Sequence, residues 1–543
     1  MDWFVLKISI MKRIVMGIML LAISVIAGTR MQAQMLYEQA YKFGKVLDWI
    51  DQYYVDSVNQ EKLVEHAIME MIKELDPHSS YLTREEVEQL NEPLQGNFEG
   101  IGVSFNILND TVYIISPVSG GPSERVGILS GDRILGVDGA NIAGVGITND
   151  KVFAMLRGKK GTRVMVTILR KGEPRLLEFA VVRDKIPIFS IDASYKVGDD
   201  IGYVKINRFS MTTLDEFNEA IKKLKEADIK NLILDLTGNG GGYLEVAINL
   251  ADQFLEDGKL VLYTEGVNSP KKEYFATRNG IFEKGHLVIL IDEGSASASE
   301  IVSGAIQDWD RGIIVGRRSY GKGLVQKPLL LPDQSMIRLT VAKYYTPTGR
   351  LIQKPYNMSR DDYEKDLLHR YVNGEMAHKD SIHFPDSLKY FTLKNTRAVY
   401  GGGGIMPDYF VSIDTSYYSE YYRLLIRKGI MNQFVLEYVD ANRKDLLRQF
   451  SDFESFRNGF AVNEKLMTRF TKYAGEAGVT ANENDLALSG DQITMFLKAY
   501  IARDLWSGSE FYEIVNEKDP KFETAVTILH NWDKYEVMLL NKK

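Results

Sequence analysis

Residues 287–326, LVILIDEGSASASEIVSGAIQDWDRGIIVGRRSYGKGLVQ, constrain the fold more than any other stretch of the chain. Leu287 to Ile291 is an unbroken apolar run of strand length, rich in β-branched side chains. After the turn Asp292-Glu293-Gly294 come three serines on alternate positions, Ser295, Ser297 and Ser299. Ile301, Val302, Ala305 and Ile306 then recur at three- and four-residue steps, the spacing of a helix face. Gly312 to Gly316 reads as a second strand, and Gly321-Lys322-Gly323 follows it. A strand that turns into a helix and returns as a strand predicts an α/β sheet. It also leaves the serines at a turn where unpaired backbone N–H groups face whatever binds there.

Serine at a helix start also serves as an ordinary cap, and Gly-Lys-Gly as an ordinary surface turn. The two features point to chemistry only in combination. Acyl transfer requires a hydroxyl deprotonated by a base within hydrogen-bond reach. The seven histidines are His66, His78, His286, His369, His378, His383 and His530, and none sits in a recognisable catalytic motif. His78 adjoins Ser79, but the proline-stopped turn Leu75-Asp76-Pro77 accounts for that pair. A lysine serves as the base only when neutral. Bringing its pKa from about 10.4 to about 7 requires on the order of 4 kcal/mol of desolvation and charge repulsion. Lys322, held between two glycines beside a strand, is the candidate.

Length bounds the rest: 543 residues are enough for three or four domains. The chain has no cysteine, which removes disulfides, thiolate nucleophiles, zinc–thiolate sites and a lipoprotein anchor together. A net charge of −7 with no basic cluster excludes nucleic acid as the expected partner. Lys12-Arg13, the uncharged run Ile14 to Gly28 and the small-residue site near Met31-Gln32-Ala33-Gln34 form a secretory signal over residues 1–34. Export to the periplasm or an equivalent envelope space is the expected location, with membrane attachment only if the signal stays uncleaved.

Helical periodicity fills residues 35–95, an N-terminal arm. Residues 96–184 read as a small β-rich unit with one short helix, Lys151 to Arg157, and a closing strand, Arg163 to Arg170. From Ile201 strands and helices alternate. Asn231 to Leu236 leads into Thr237-Gly238-Asn239-Gly240-Gly241-Gly242, which lacks the glycine spacing of a dinucleotide fingerprint and the lysine of a phosphate loop. Residues 356–403 are a charged, tyrosine-rich insertion, and 415–543 a helical extension without a motif.

GSASASE, an aspartate in the following helix, and GKG with Gln326 three residues beyond it resemble the active-site segment of the carboxyl-terminal processing peptidases, or tail-specific proteases. LDPHS, RLTVAKYYTPTGR and GIMPD are also similar to that family. GIGV, PSERVGILSGDRILGVDG and LRGKKGT resemble a PDZ domain. The resemblance implies a multidomain α+β protein: helical arm, PDZ domain, a crotonase-like α/β protease core over 185–355 and 404–414, and the helical extension. It implies Ser297 as nucleophile, Lys322 as general base, Gln326 supporting the lysine and Asp308 as a further support. Gly241, with Gly242 beside it, and Ala298 would form the oxyanion hole. Gly100, Ile101, Gly102 and Val103 would hold a peptide carboxylate. Thr237 and Gly240 depart from the arginine and proline usual in the family's DLR-x-NPGG segment, which puts the rigidity of that loop in question.

The reading is thus an exported serine endopeptidase that takes protein and peptide substrates by their C-termini, needs no metal or cofactor, and leaves self-association open. Two other classes remain. A catalytically silent PDZ scaffold has no use for a buried neutral lysine, and a crotonase-type thioester enzyme does not fit export.

Overall fold

The computed structural model describes residues 34–35, 37–277, 280–357 and 359–540. The expected export signal lies outside the described residues except for Gln34. Residues up to Tyr81 form one compact unit and those from Leu82 another. In the first, a helix over 37–53 is followed by Gln60–Lys73, whose N-cap Asn59 accepts from Lys62 N. Beyond it the Asp76 carboxylate takes His78 N and Ser79 N, each at 2.8 Å, and Ser79 Oγ at 2.6 Å. That turn occupies the serine hydroxyl, as its sequence suggested.

In the second unit a six-stranded sheet organises everything else. Its order is Ile191–Val197, Ile201–Ile206, Asn231–Asp235, Leu287–Ile291, Ile313–Gly316 and Tyr409–Phe410; the first pair is antiparallel and the rest parallel. All five residues of Asn231–Asp235 and of Leu287–Ile291 are buried, as expected of strands covered on both faces. Alternate side chains serve two cores. Leu232, Leu234, Leu287, Ile289 and Ile291 pack with the helices Thr213–Glu226, Leu244–Asp252 and Ala298–Asp308. Ile233, Val288, Leu290, Ile313 and Val315 pack instead with Ala525, Ile528 and Leu529 of the helix Pro520–His530.

That second face divides the helical extension into two parts. Residues from Tyr421 to Ile514 build a helical core of their own, whereas Pro520–His530 and Leu539 complete the α/β core. Within the insertion, the helix Asp366–Val372 carries Arg370 into the interior, where it is 4% exposed.

The PDZ-like unit is a six-stranded antiparallel sheet, in the order Val103–Leu108, Thr111–Pro117, Arg133–Val137, Arg163–Leu169 and Leu177–Val182, with the short strand Ala140–Asn141 paired to Arg133–Val137 off that path. Leu177–Val182 lies beyond the strand expected to close the unit. Entry and exit chains pair as a two-stranded stem, Asn97–Gly100 against Asp184–Pro187. The unit also touches the helical extension, where Arg133 reaches Asp440 at 3.4 Å. An antiparallel sheet of Leu260–Gly266, Ser269–Phe275, Leu324–Leu330 and Met336–Tyr345 supplies the remaining side chains around the serine.

Candidate active site

Three loops meet at the carboxyl ends of three adjacent parallel strands: 236–242 after Asn231–Asp235, 292–297 after Leu287–Ile291, and 317–323 after Ile313–Gly316. Open α/β sheets place their sites at such ends, because the loops there converge. The serine row sorts itself by exposure. Ser295 and Ser299 are both 0% exposed and spend their hydroxyls on the backbone, Ser295 on Leu236 O and Ser299 on Asn239 O, each at 2.8 Å. Ser297 is only half-buried. It opens the helix Ala298–Asp308 at φ 54° and ψ −107°, a left-handed backbone for a residue with a side chain. Such a conformation costs about 1–3 kcal/mol and persists where surrounding bonds hold it.

Those bonds come from Glu300. It is fully buried and accepts Ser297 N at 2.8 Å, Lys322 N at 2.9 Å, Gly321 N at 2.7 Å and Ser319 Oγ at 2.5 Å. Burial pushes its carboxyl up, and the four donors oppose that shift. Tyr344 Oη makes a second bridge, donating to Ser297 O at 3.1 Å and Lys322 O at 2.8 Å. Serine and lysine backbones are therefore clamped together from two sides.

Gly321-Lys322-Gly323 is no surface turn. Gly321 O accepts Lys354 N, Gly323 N donates to Gln353 Oε1, and Gly323 O accepts Tyr344 N, each at 2.9 Å. With the Glu300 and Tyr344 bonds, every backbone polar group of the tripeptide is paired. A Cβ on Gly323 would meet Gln353 N at 2.8 Å, so no side chain fits there. Lys322 Nζ donates to Gln326 Oε1 at 3.1 Å, and the same oxygen accepts Arg338 Nη2 at 3.0 Å.

Asp308 is not brought to this cluster. It ends the helix that Ser297 begins, eleven residues and therefore about 16 Å along the axis. There it is fully buried against Arg350 at 2.6 Å and accepts Thr348 N and Oγ1.

The glycine loop reaches the serine. A Cβ on Gly241 would lie 3.0 Å from Ser297 Cβ and 3.1 Å from Ala298 N, so any side chain would fill the space beside the hydroxyl. The Gly241 amide, however, donates to Asn239 Oδ1 at 2.9 Å. Among the described residues, neither Gly242 N nor Ala298 N has an acceptor. The amides of Gly242 and Ala298 are thus without a partner among the described residues, whereas that of Gly241 has one.

The loop is held without the arginine and proline missing from its sequence. Asn239 donates to Ile206 O at 2.9 Å and its carbonyl accepts Ala296 N. Lys205, 5% exposed, donates to Asp235 Oδ1 at 3.0 Å and to Thr237 Oγ1 at 2.8 Å. Tyr203 Oη donates to the other Asp235 oxygen at 2.6 Å. Lys205→Met strands a buried carboxylate, so thermal or denaturant unfolding should register a loss of about 3–5 kcal/mol.

In the PDZ-like unit Val103–Leu108 is an edge strand with its outer side unpaired in the sheet. Ile101 is buried and its carbonyl accepts Ser123 N and Oγ. Gly102 has φ +73°, and a Cβ there would lie 2.8 Å from Ile186 Cδ1. Helix Asn149–Leu156 faces the strand, with the Phe105 and Phe153 rings 5.3 Å apart, edge to face. A peptide strand added here has to part those rings.

Glu300, Tyr344 and Asn239 were missed by sequence reasoning. Glu300 had a signal, since Ser297-x-x-Glu300 has capping-box spacing. Tyr344 had none, because its partners are distant in sequence, and Asn239's anchors at Ile206 and Ala296 are distant too. Among the described residues no cluster of ligating side chains is arranged to hold a metal ion.

A family model described as peptidase family S41 matches residues 200–361, and a PDZ domain model matches 100–181. The activating protease CtpB N-terminal domain matches 22–86, and a family of unknown function 421–508. A carboxy-terminal-processing protease of Bartonella bacilliformis is 36% identical over 324 residues, 59% of this chain and 74% of that protein. Carboxy-terminal processing protease CtpB of Bacillus subtilis is 35% identical over 317 residues, 58% of this chain and 65% of its own length, just under two thirds. Among solved structures, a photosystem II D1 C-terminal processing protease is 28% identical with a TM-score of 0.33, covering 57% of this chain and 89% of that one.

Proposed function

Because the chain belongs to the carboxy-terminal-processing proteases of serine peptidase family S41, we propose that it is an exported endopeptidase that hydrolyses peptide bonds of protein substrates with Ser297 as nucleophile and Lys322 as base. The observation that carries this reading is the double clamp of Glu300 and Tyr344 on both backbones. Neutral Lys322 takes the Ser297 proton as Oγ attacks the carbonyl carbon, then returns it to the departing amine. Water repeats the sequence on the acyl-enzyme. The amides of Gly242 and Ala298 receive the oxyanion at strand-to-helix turns. Gln326 orients the lysine, and Arg338 donates to the same Gln326 oxygen and fixes that amide in turn. Asp308 stabilises the fold through Arg350 and stays outside the chemistry.

Substrates are chosen by their C-termini. The edge strand Val103–Leu108 takes the tail as an added strand, the loop Gly100 to Val103 holds its carboxylate, and an apolar last side chain enters between strand and helix. Hydrogen bonds to a charged group are worth about 1.5–3 kcal/mol each. Amidating the terminus, or ending it in Asp, should therefore weaken capture roughly tenfold or more. The measurement compares cleavage of one peptide with free, amidated and Asp-terminated ends. Equal rates for all three would rule out tail recognition while leaving the Ser–Lys chemistry standing. Sequencing the mature N-terminus from the native host tests export: a start near Gln34 or Met35 supports it, and an intact Met1 or Met11 on a membrane-bound form supports an anchor instead.

A further inference from the structure

The insertion, which carries no motif, makes contact with the lysine loop at its root. Arg370, on the helix Asp366–Val372, is 4% exposed. Its guanidinium donates to Arg318 O at 2.6 Å and to Ser319 O at 3.1 Å. Its third donor goes to Glu375 Oε1 at 2.7 Å. Glu375 in turn receives Arg318 in a two-point ion pair at 2.6 and 2.7 Å. A buried arginine, Arg370, and a half-buried one, Arg318, thus share one carboxylate, and the fork of Arg370 closes over the carbonyls of the two residues that precede Tyr320-Gly321-Lys322.

From there the bonding runs on without a break. Ser319 Oγ donates to Glu300, and Glu300 accepts the amides of Gly321, Lys322 and Ser297. Ile405 N donates to Ser319 Oγ, which fixes that hydroxyl from the other side. On the same face Lys354 lies between the Tyr320 and Tyr363 rings, 4.2 Å from each, and pairs with Asp366 at 3.0 Å. Tyr363 and Asp366 also belong to the insertion. A segment that only decorated the surface would not bury an arginine and a tyrosine and half-bury a glutamate against one loop.

We propose that the insertion is a positioning element of the active site, in which Arg370 and Glu375 hold the Arg318–Ser319 backbone so that Glu300 can register Lys322 against Ser297. The inference rests on the Ser–Lys reading and adds to it a residue pair that touches neither substrate nor reacting atoms. Register between nucleophile and base is sensitive to displacements near 1 Å, so loss of the fork acts on turnover rather than on peptide capture.

The test uses the full chain at a temperature well below its unfolding transition. Arg370→Gln should lower kcat on a short peptide at least tenfold, with KM changed less than twofold. The rate of Ser297 labelling by a fluorophosphonate, which needs no substrate site, should fall in parallel. Glu375→Gln, which keeps both arginines and most of the packing, should give a smaller loss of the same kind, and Arg370→Lys should restore only part of the rate because a single ammonium cannot span two carbonyls and the carboxylate. Leu368→Ala, on the exposed face of the same helix, should label and turn over as the parent does. If Arg370→Gln does not fold, Glu375→Gln carries the test alone. A folded Arg370→Gln or Glu375→Gln that labels at the parent rate, or loses activity through KM alone, overturns the inference. Lys322→Ala run alongside separates the two levels: if it too labels at the parent rate, the Ser–Lys reading itself fails.

Discussion

Ser297→Ala and Lys322→Arg should each reduce peptide hydrolysis to background, a loss of roughly 10⁴-fold or more, as for other groups that act together as one nucleophilic unit. The arginine variant is the sharper of the two. It keeps the positive charge and much of the length of the lysine, yet a guanidinium does not deprotonate in a protein and so cannot accept the serine proton. Ser295→Ala and Ser299→Ala form the contrast. Their hydroxyls are tied to Leu236 O and Asn239 O; each carbonyl keeps a backbone donor, Asn239 N or Ala296 N, so each substitution removes one hydrogen bond at a cost of about 0.5–1.5 kcal/mol in stability. Both should remain active below their lowered unfolding temperature. Casein cleavage at the parent rate by Ser297→Ala would remove the proposed nucleophile, and an active Lys322→Arg would leave the lysine only a charge-stabilising part.

How far the sequence foretold this site depends on where each partner lies along the chain. Leu287 to Ile291, the helix after Ser297 and the strand before Gly316 were readable because apolar spacing reports burial directly. The choice of Ser297 over its neighbours came only from resemblance. Spacing makes the three serines equivalent, and what separates them is a left-handed φ and two buried carbonyls contributed by another loop. The doubt over Thr237 and Gly240 was reasonable locally and is answered from a distance. Lys205, 32 residues upstream, supplies a cation beneath the loop, and Asn239 ties it to Ile206 and Ala296. The same Asn239 takes the Gly241 amide, and the Gly242 amide, also expected at the oxyanion hole, has no partner among the described residues. Asp308 matched by motif alone. Eleven residues of helix put it at the far end, beyond hydrogen-bond reach of the lysine.

A chain ending at Glu517 should fail to give a soluble, folded protease core, although every residue proposed for catalysis and peptide binding would still be present. The sheet strands alternate, and one set of their side chains, Ile233, Val288, Leu290, Ile313 and Val315, is covered largely by side chains from beyond Asp519. Removing the helix Pro520–His530 uncovers that face and discards Phe522, Ile528 and Leu529. Each large apolar side chain contributes about 1.5–3 kcal/mol when buried. Three or four of them, with the strand residues they cover, amount to about 5–10 kcal/mol, comparable to the whole stability of a typical domain at about 5–15 kcal/mol. His286, which begins the strand of the serine loop, also loses the Trp532 ring stacked on it at 4.3 Å. The gentler variant Ile528→Ala leaves the chain complete and should cost about 2–5 kcal/mol, read as a lowered unfolding midpoint with the active site still competent at low temperature. A soluble truncated protein with parental activity and an unchanged midpoint would mean that the helix merely rests on a sheet that is stable without it.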